Sequence, residues 1–142
     1  MLLDTQATYS NAQAFTPTGD TASTNSYDHG PGDPGPGLDD IWLVVQTDAA
    51  VVSAGGGTVQ IVLQDSADNA TFADVRVLTG ALAVAALGAS KTLVRARFPG
   101  NLRRYTRVVY RVGTAVLSAG SFSAFVTPNV DNQQYLPSGF TV

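Results

Sequence analysis

Cysteine is absent from this 142-residue chain, and so is glutamate. Without thiols there can be no disulfide and no thiolate metal site, so the chain must be held together by packing and hydrogen bonds alone. The single methionine is Met1, which removes any adaptable methionine-rich surface. There is one histidine, His29. Long apolar runs are also missing: the longest, residues 81–87, falls far short of the roughly 20 residues a membrane helix needs. Residues 1–6 carry two leucines and then Asp4, with neither a basic segment nor an apolar stretch, so no secretory signal is expected there. These absences lead to the expectation of a soluble protein of intracellular manufacture. Its length suits one domain, able to bury about 68–70% of the surface its unfolded chain exposes.

Charge is sparse and segregated. Up to Val75 every charged side chain is an aspartate (Asp4, Asp20, Asp28, Asp33, Asp39, Asp40, Asp48, Asp65, Asp68 and Asp74). The bases follow as Arg76, Lys91, Arg95, Arg97, Arg103, Arg104, Arg107 and Arg111, and only Asp131 comes later. Abundant Ala, Val, Thr, Ser and Gly without glutamate favours strands and turns over helix.

Apolar residues recur with period two, the mark of strands that bury one face. In residues 58–65, Val59, Ile61 and Leu63 alternate with mostly polar positions. Residues 91–98 repeat the pattern with Val94, Ala96 and Phe98. Residues 103–112 place Val108, Tyr110 and Val112 on one face and Arg103, Tyr105, Arg107 and Arg111 on the other. Residues 41–47 are apolar on both sides, as in a strand covered on both faces. Further strands are expected at 5–15, 23–28, 72–78 and 121–127. Turn residues punctuate them at 55–57, 67–70, 99–101, 113–114 and 119–120. Residues 30–37 read Gly-Pro-Gly-Asp-Pro-Gly-Pro-Gly and are expected to form an exposed loop, since proline lacks a donor and glycine resists fixing. Residues 81–87 fit a short helix, a strand or a covering loop. About eight strands without βαβ alternation predict an all-β, single-domain, two-sheet sandwich over residues 1–128, a jelly roll before an immunoglobulin-like topology. Residues 129–142 form a polar C-terminal arm whose Tyr135, Leu136 and Phe140 suit an extension that orders against a partner.

The candidate chemistry is thin. His29 abuts the Pro/Gly loop, where catalytic tolerance is hard to hold, so a solvated loop histidine is expected rather than a triad member. One histidine with carboxylates does not make a zinc site. Asp39 with Asp40, and Asp65 with Asp68, lack calcium-loop spacing, and the second pair suits a turn. Gly55-Gly56-Gly57 has no following lysine and is expected as a hairpin connection, not a phosphate loop. Trp42 is expected in the core. Arg103, Arg107 and Arg111 recur evenly on one strand face, with Arg95 and Arg97 extending the stripe if the two strands are close. Local pairing with aspartates, contact with an acidic partner, and nucleic acid compete to explain that stripe, and the net charge of −3 weighs against nucleic acid.

Six stretches resemble a known family. They are Met1-Leu2-Leu3-Asp4, Ser10-Asn11-Ala12-Gln13-Ala14, Ile41-Trp42-Leu43-Val44-Val45-Gln46-Thr47-Asp48, Gln64-Asp65-Ser66-Ala67-Asp68-Asn69-Ala70-Thr71-Phe72, Leu102-Arg103-Arg104-Tyr105 and Pro137-Ser138-Gly139-Phe140-Thr141-Val142. Together, in this order, they are similar to the cementing proteins of tailed-phage capsids, as in a Bordetella podovirus. The resemblance implies a jelly roll on the virion exterior, assembled in the bacterial cytoplasm. It would bridge major capsid protein subunits and act as a homo-oligomer, dimer or trimer. On this reading there is no enzyme activity, no cofactor, no metal and no nucleic-acid or membrane partner. The interface residues would be Arg103, Arg107, Arg111, Tyr135, Leu136 and Phe140. Two other readings are a carbohydrate-binding sandwich used in host-surface adhesion, and a cupin-type enzyme, which a single histidine argues against.

Overall fold

In the computed structural model, residues 5–31 and 41–128 are described. Among the described residues ten strands follow one another: β1 (Thr8–Gln13), β2 (Gly19–Ala22), β3 (Tyr27–Asp28), β4 (Trp42–Val52), β5 (Thr58–Ser66), β6 (Ala73–Val77), β7 (Leu82–Ala83), β8 (Thr92–Arg97), β9 (Tyr105–Gly113) and β10 (Ala119–Thr127). The only helical pieces among the described residues are single 3-10 turns at Thr5–Ala7 and Val84–Ala86.

All pairing is antiparallel and nested. β1 pairs with β10, β2 with β9, β4 with β8 and β5 with β6. Rolling up this long double hairpin adds the contacts β10–β4 and β9–β5. The result is two sheets, ordered β1-β10-β4-β8 and β2-β9-β5-β6, which is the jelly-roll path. β3 prolongs the β2 edge along β9, and β7 prolongs the β6 edge along β5. One rim gathers the start of β1, Asp28, Trp42, Ser66, Arg97, Tyr105 and Thr127, because each strand either starts or ends there.

Period two explains the core. Leu43 and Val45 of β4, Val59, Ile61 and Leu63 of β5, Val108, Tyr110 and Val112 of β9, and Phe122, Ala124 and Val126 of β10 meet between the sheets. Phe15 stacks on both Tyr110 (4.7 Å between centroids) and Phe122 (4.8 Å), bridging the sheets with aromatic surface. Among the described residues every buried side-chain nitrogen and oxygen has a hydrogen-bond partner. The Tyr110 hydroxyl donates to Ser10 Oγ (3.0 Å), which in turn donates to Gln13 Oε1 (2.7 Å).

Several expectations need correction. Trp42 is half-buried on the outer face of its sheet, because Leu43 and Val45 take the core side. Its neighbour Val44 is buried on that same outer face, as the doubly apolar pattern requires. Gly55-Gly56-Gly57 does not close a hairpin: it carries the chain from β4 in one sheet to β5 in the other. A side chain on Gly57 would start 2.7 Å from the Ala115 carbonyl, so this corner is glycine for closeness. Ala119 and Gly120 are not a turn but the bulged start of β10, where register shifts on both sides of Ser121. Gly19–Ala22, which has no apolar alternation, is a strand only because β9 templates it. Within 23–28 only Tyr27–Asp28 is strand, although the Ser23 and Asn25 main-chain N–H groups bond to the Val108 and Tyr9 carbonyls. Residues 81–87 resolve into the short β7 and a 3-10 turn.

Candidate functional site

Of the arginine stripe, Arg107 and Arg111 ride on β9, whose outer face alternates with the core-facing Thr106, Val108, Tyr110 and Val112; Arg103, expected on the same strand, precedes it, because the strand begins only at Tyr105. Arg111 stands opposite Asp20 on β2 and grips it with two hydrogen bonds, Nε to Oδ1 at 2.7 Å and Nη2 to Oδ2 at 2.9 Å. The same Nη2 reaches Asp74 of β6 at 3.2 Å. Asp74 also accepts from Gln64 Nε2 at 2.6 Å, and Gln64 Oε1 accepts from Arg107 Nε at 2.9 Å. The Arg107 guanidinium lies 4.0 Å from the Phe72 ring centroid. Asp20, Arg111, Asp74, Gln64, Arg107 and Phe72 thus form one lattice across four strands and the β5–β6 hairpin. The hydrogen bond from Gln64, then the Arg111 partner, hold the Asp74 carboxyl below the usual range. The paired aspartates push Arg111 up, whereas burial pulls Arg107 down. Val62 and Val109 pair between these polar rows and are buried on the outer face, flanked by the aliphatic stems of Arg107 and Arg111.

At the rim the pairing continues. Asp65 is buried, accepts from the Arg103 main-chain N–H at 2.9 Å and lies 3.6 Å from Arg103 Nε. Arg104 makes a two-pronged contact with Asp28, both bonds 2.8 Å, and covers the Tyr105 ring at 5.0 Å. The Arg104 bonds, then the Gly30 main-chain N–H, bring the exposed Asp28 carboxyl down to about 2. Arg95 and Arg97 do not extend the stripe. They sit on β8 at the edge of the other sheet, where the Arg97 guanidinium lies 5.2 Å from the Trp42 ring centroid. Local pairing with aspartates, one of the three readings weighed for the stripe, is therefore what Arg111 and Arg103 do. Among the described residues Arg107 alone of the three has no carboxylate within ion-pair distance.

The remaining candidates are structural. Asp68 accepts from the main-chain N–H groups of Ala70 and Thr71 and from Ser66 Oγ, so it builds the β5–β6 turn, and those bonds bring its carboxyl down to about 2. His29 is not a solvated loop residue. Its ring is half-buried, edge-on to Tyr27 (4.8 Å) and Phe98 (5.7 Å), with Nε2 at 3.0 Å from Thr106 Oγ1. Among the described residues no cluster of three histidines or acids is arranged to hold a metal. A polar cleft of about 780 Å³ opens beside β3, lined by Thr5, Gln6, Thr24, Asn25, Ser26, Tyr27 and Asp28. Asp39, Asp40, Tyr135, Leu136 and Phe140 lie outside the described residues.

Sequence reasoning missed Asp20, Asp74, Gln64 and Phe72 as partners of the stripe, and Arg104 as the strongest grip at the rim. The available signal was the segregation of acids before bases, which a nested roll converts into facing pairs. No curated protein matches the chain. The Bbp16 family profile, whose name fits a Bordetella phage protein, aligns with residues 9–126, from the first core tyrosine to the last core valine. With the match covering the whole sandwich, the chain belongs to the Bbp16 family.

Proposed function

We propose that this protein is a structural component of a tailed-phage virion, one that cements the capsid exterior by bridging neighbouring major capsid protein subunits. The observation that carries the reading is the family match across the entire jelly roll. The geometry supports it: apart from Arg107, the charged outer lattice is paired within the chain, which makes the sandwich a stiff spacer whose worth lies in buried area. Among the stripe residues Arg107 is the one left to meet an acidic partner, since Arg103 and Arg111 are already engaged. Tyr135, Leu136 and Phe140 of the arm supply the remaining contacts, and the protein acts as a dimer or trimer. Binding to the assembled shell but not to its dissociated subunits stabilises the shell by mass action.

The test is to strip capsids of the protein, add it back, and follow occupancy and thermal disruption. Re-addition should raise the disruption temperature, and Arg107→Gln should lower occupancy while leaving the free domain folded. A chain that never associates with shells sinks the reading. A second reading, a carbohydrate-binding module, has the Tyr27-containing polar cleft in its favour. A glycan array that shows saturable binding, abolished by Asn25→Ala, would move the assignment there.

A further inference from the structure

His29 occupies a knot at the rim where β3 leaves β9. Its main-chain N–H donates to the Arg104 carbonyl at 2.9 Å. Its Nε2 lies 3.0 Å from Thr106 Oγ1, and that same oxygen lies 2.6 Å from the Tyr9 hydroxyl. Tyr9 and Thr106 are fully buried, and among the described residues neither hydroxyl has another hydrogen-bond partner, side-chain or main-chain. Two hydroxyl protons must therefore be placed within a chain of three heavy atoms.

Only one arrangement places both. If Nε2 accepts, Tyr9 O–H donates to Thr106 Oγ1 and Thr106 O–H donates to Nε2. If Nε2 carries a proton, the ring donates to Thr106 Oγ1 and the two hydroxyls share a single bond. One buried O–H then has no acceptor, at the cost of a desolvated polar group. The buried pair thus selects the neutral ring with its proton on Nδ1.

We propose that His29 is an acid-sensitive latch: protonation at Nε2 strands a buried hydroxyl proton between Thr106 and Tyr9, and β3 releases from β9. The groups facing the ring are few. Asp28 adjoins it on β3, Arg104, Tyr105 and Thr106 come from β9 and the turn before it, Phe98 from the β8–β9 connection, and Tyr9 from β1. The charged ones, Asp28 and Arg104, bind each other. Burial, opposed only by the Asp28 charge, holds the imidazole below its ordinary value of 6.5. The sign follows: the unfolded or released chain binds the proton first as pH falls. The latch is therefore complete above about 6.5 and is lost as pH drops from there through the lower, latched value.

Nitrogen-15 NMR of the ring in the intact chain tests this without mutation. A neutral Nδ1–H tautomer at pH 7.5 and a titration midpoint below 6.5 are expected; the Nε2–H tautomer, or a midpoint at or above 6.5, overturns the latch. Amide exchange supplies the second readout. Corrected for intrinsic rates, protection at Tyr27, His29 and Thr106 should fall by a factor of about ten for each pH unit separating the released and latched midpoints. Amides of β5 should hold. His29→Gln should remove that pH dependence between 5 and 6.5, and Thr106→Val should move the ring's midpoint. Exchange at β3 that ignores pH in the intact chain also overturns the proposal.

Discussion

Gly120 shows how much one residue can fix. It adopts φ +130° at the start of β10, a conformation that L side chains rarely take. A methyl group there would start 2.8 Å from Val51 Cγ2 and 3.0 Å from its Cα, so turning the Val51 side chain does not relieve the contact and its backbone must shift. Backbone strain of ~1–3 kcal/mol adds to overpacking of similar size. Gly120→Ala should therefore cost about 2–5 kcal/mol in a denaturant titration. Gly100→Ala, in open space and without positive φ, should change stability by less than about 0.5 kcal/mol. The hydroxyls of Tyr9 and Tyr110 make a related point. Both rings are buried, which pushes both phenols upward, and each hydroxyl is kept by a bond to a side chain over 90 residues away. Single atoms thereby tie β1 to β9 across the core.

At the scale of elements, β9 is the spine, with β5 on one flank and β2 and β3 on the other. Its two faces differ in energetic weight. Arg111 makes three bonds to Asp20 and Asp74, but these side chains are a third to a half exposed, where such pairs are worth at most about 1 kcal/mol. On the inner side, Phe122 packs with Tyr110 and Phe15 in the buried core, and truncating it costs about 3–5 kcal/mol. Thermal melts of Arg111→Ala and Phe122→Ala should show this contrast, the first effect shrinking in high salt and the second not. Legibility in the sequence followed the same division. The strands at 58–65, 91–98 and 103–112 were readable because burial of one face imposes alternation, and 121–127 from its run of strand-favouring residues, since β10 is buried on both faces from Phe122 onward. Gly19–Ala22 was not, because an edge strand held by Arg111 and the β9 backbone needs no apolar period. Trp42 was misplaced because a strand apolar on both sides does not reveal which side is inward. Of the candidate site, the stripe on β9 was visible. Its partners were not, since the pairing of Asp20 with Arg111 depends on a contact 91 residues apart. The exposed edge strand β6 carries its own safeguard: a register shift beside Asp74 and the charged Arg76 opposite the core residue Leu63, both poor templates for another strand.

For the whole molecule the governing fact is nesting. The first strand meets the last, so the outer pair cannot close until nearly the entire chain has been gathered. Loop-closure entropy must be met before those contacts reward it, which puts refolding in the slow range for single domains, milliseconds to seconds. Stopped-flow refolding should show this, and loosening β1 with Tyr9→Phe, which removes its bond to Thr106, should speed unfolding more than it slows folding if β1 docks late. Microsecond refolding would contradict it. The nested order also fixes how the sandwich meets tension. Thr8 faces Phe125 at one rim, so a load applied between these two points opens hydrogen bonds one after another, as in a zipper. A pull from Gly56 at the opposite rim against Thr8 instead runs along the strands and strains many bonds together. The direction of strain therefore decides whether the same fold yields easily or resists.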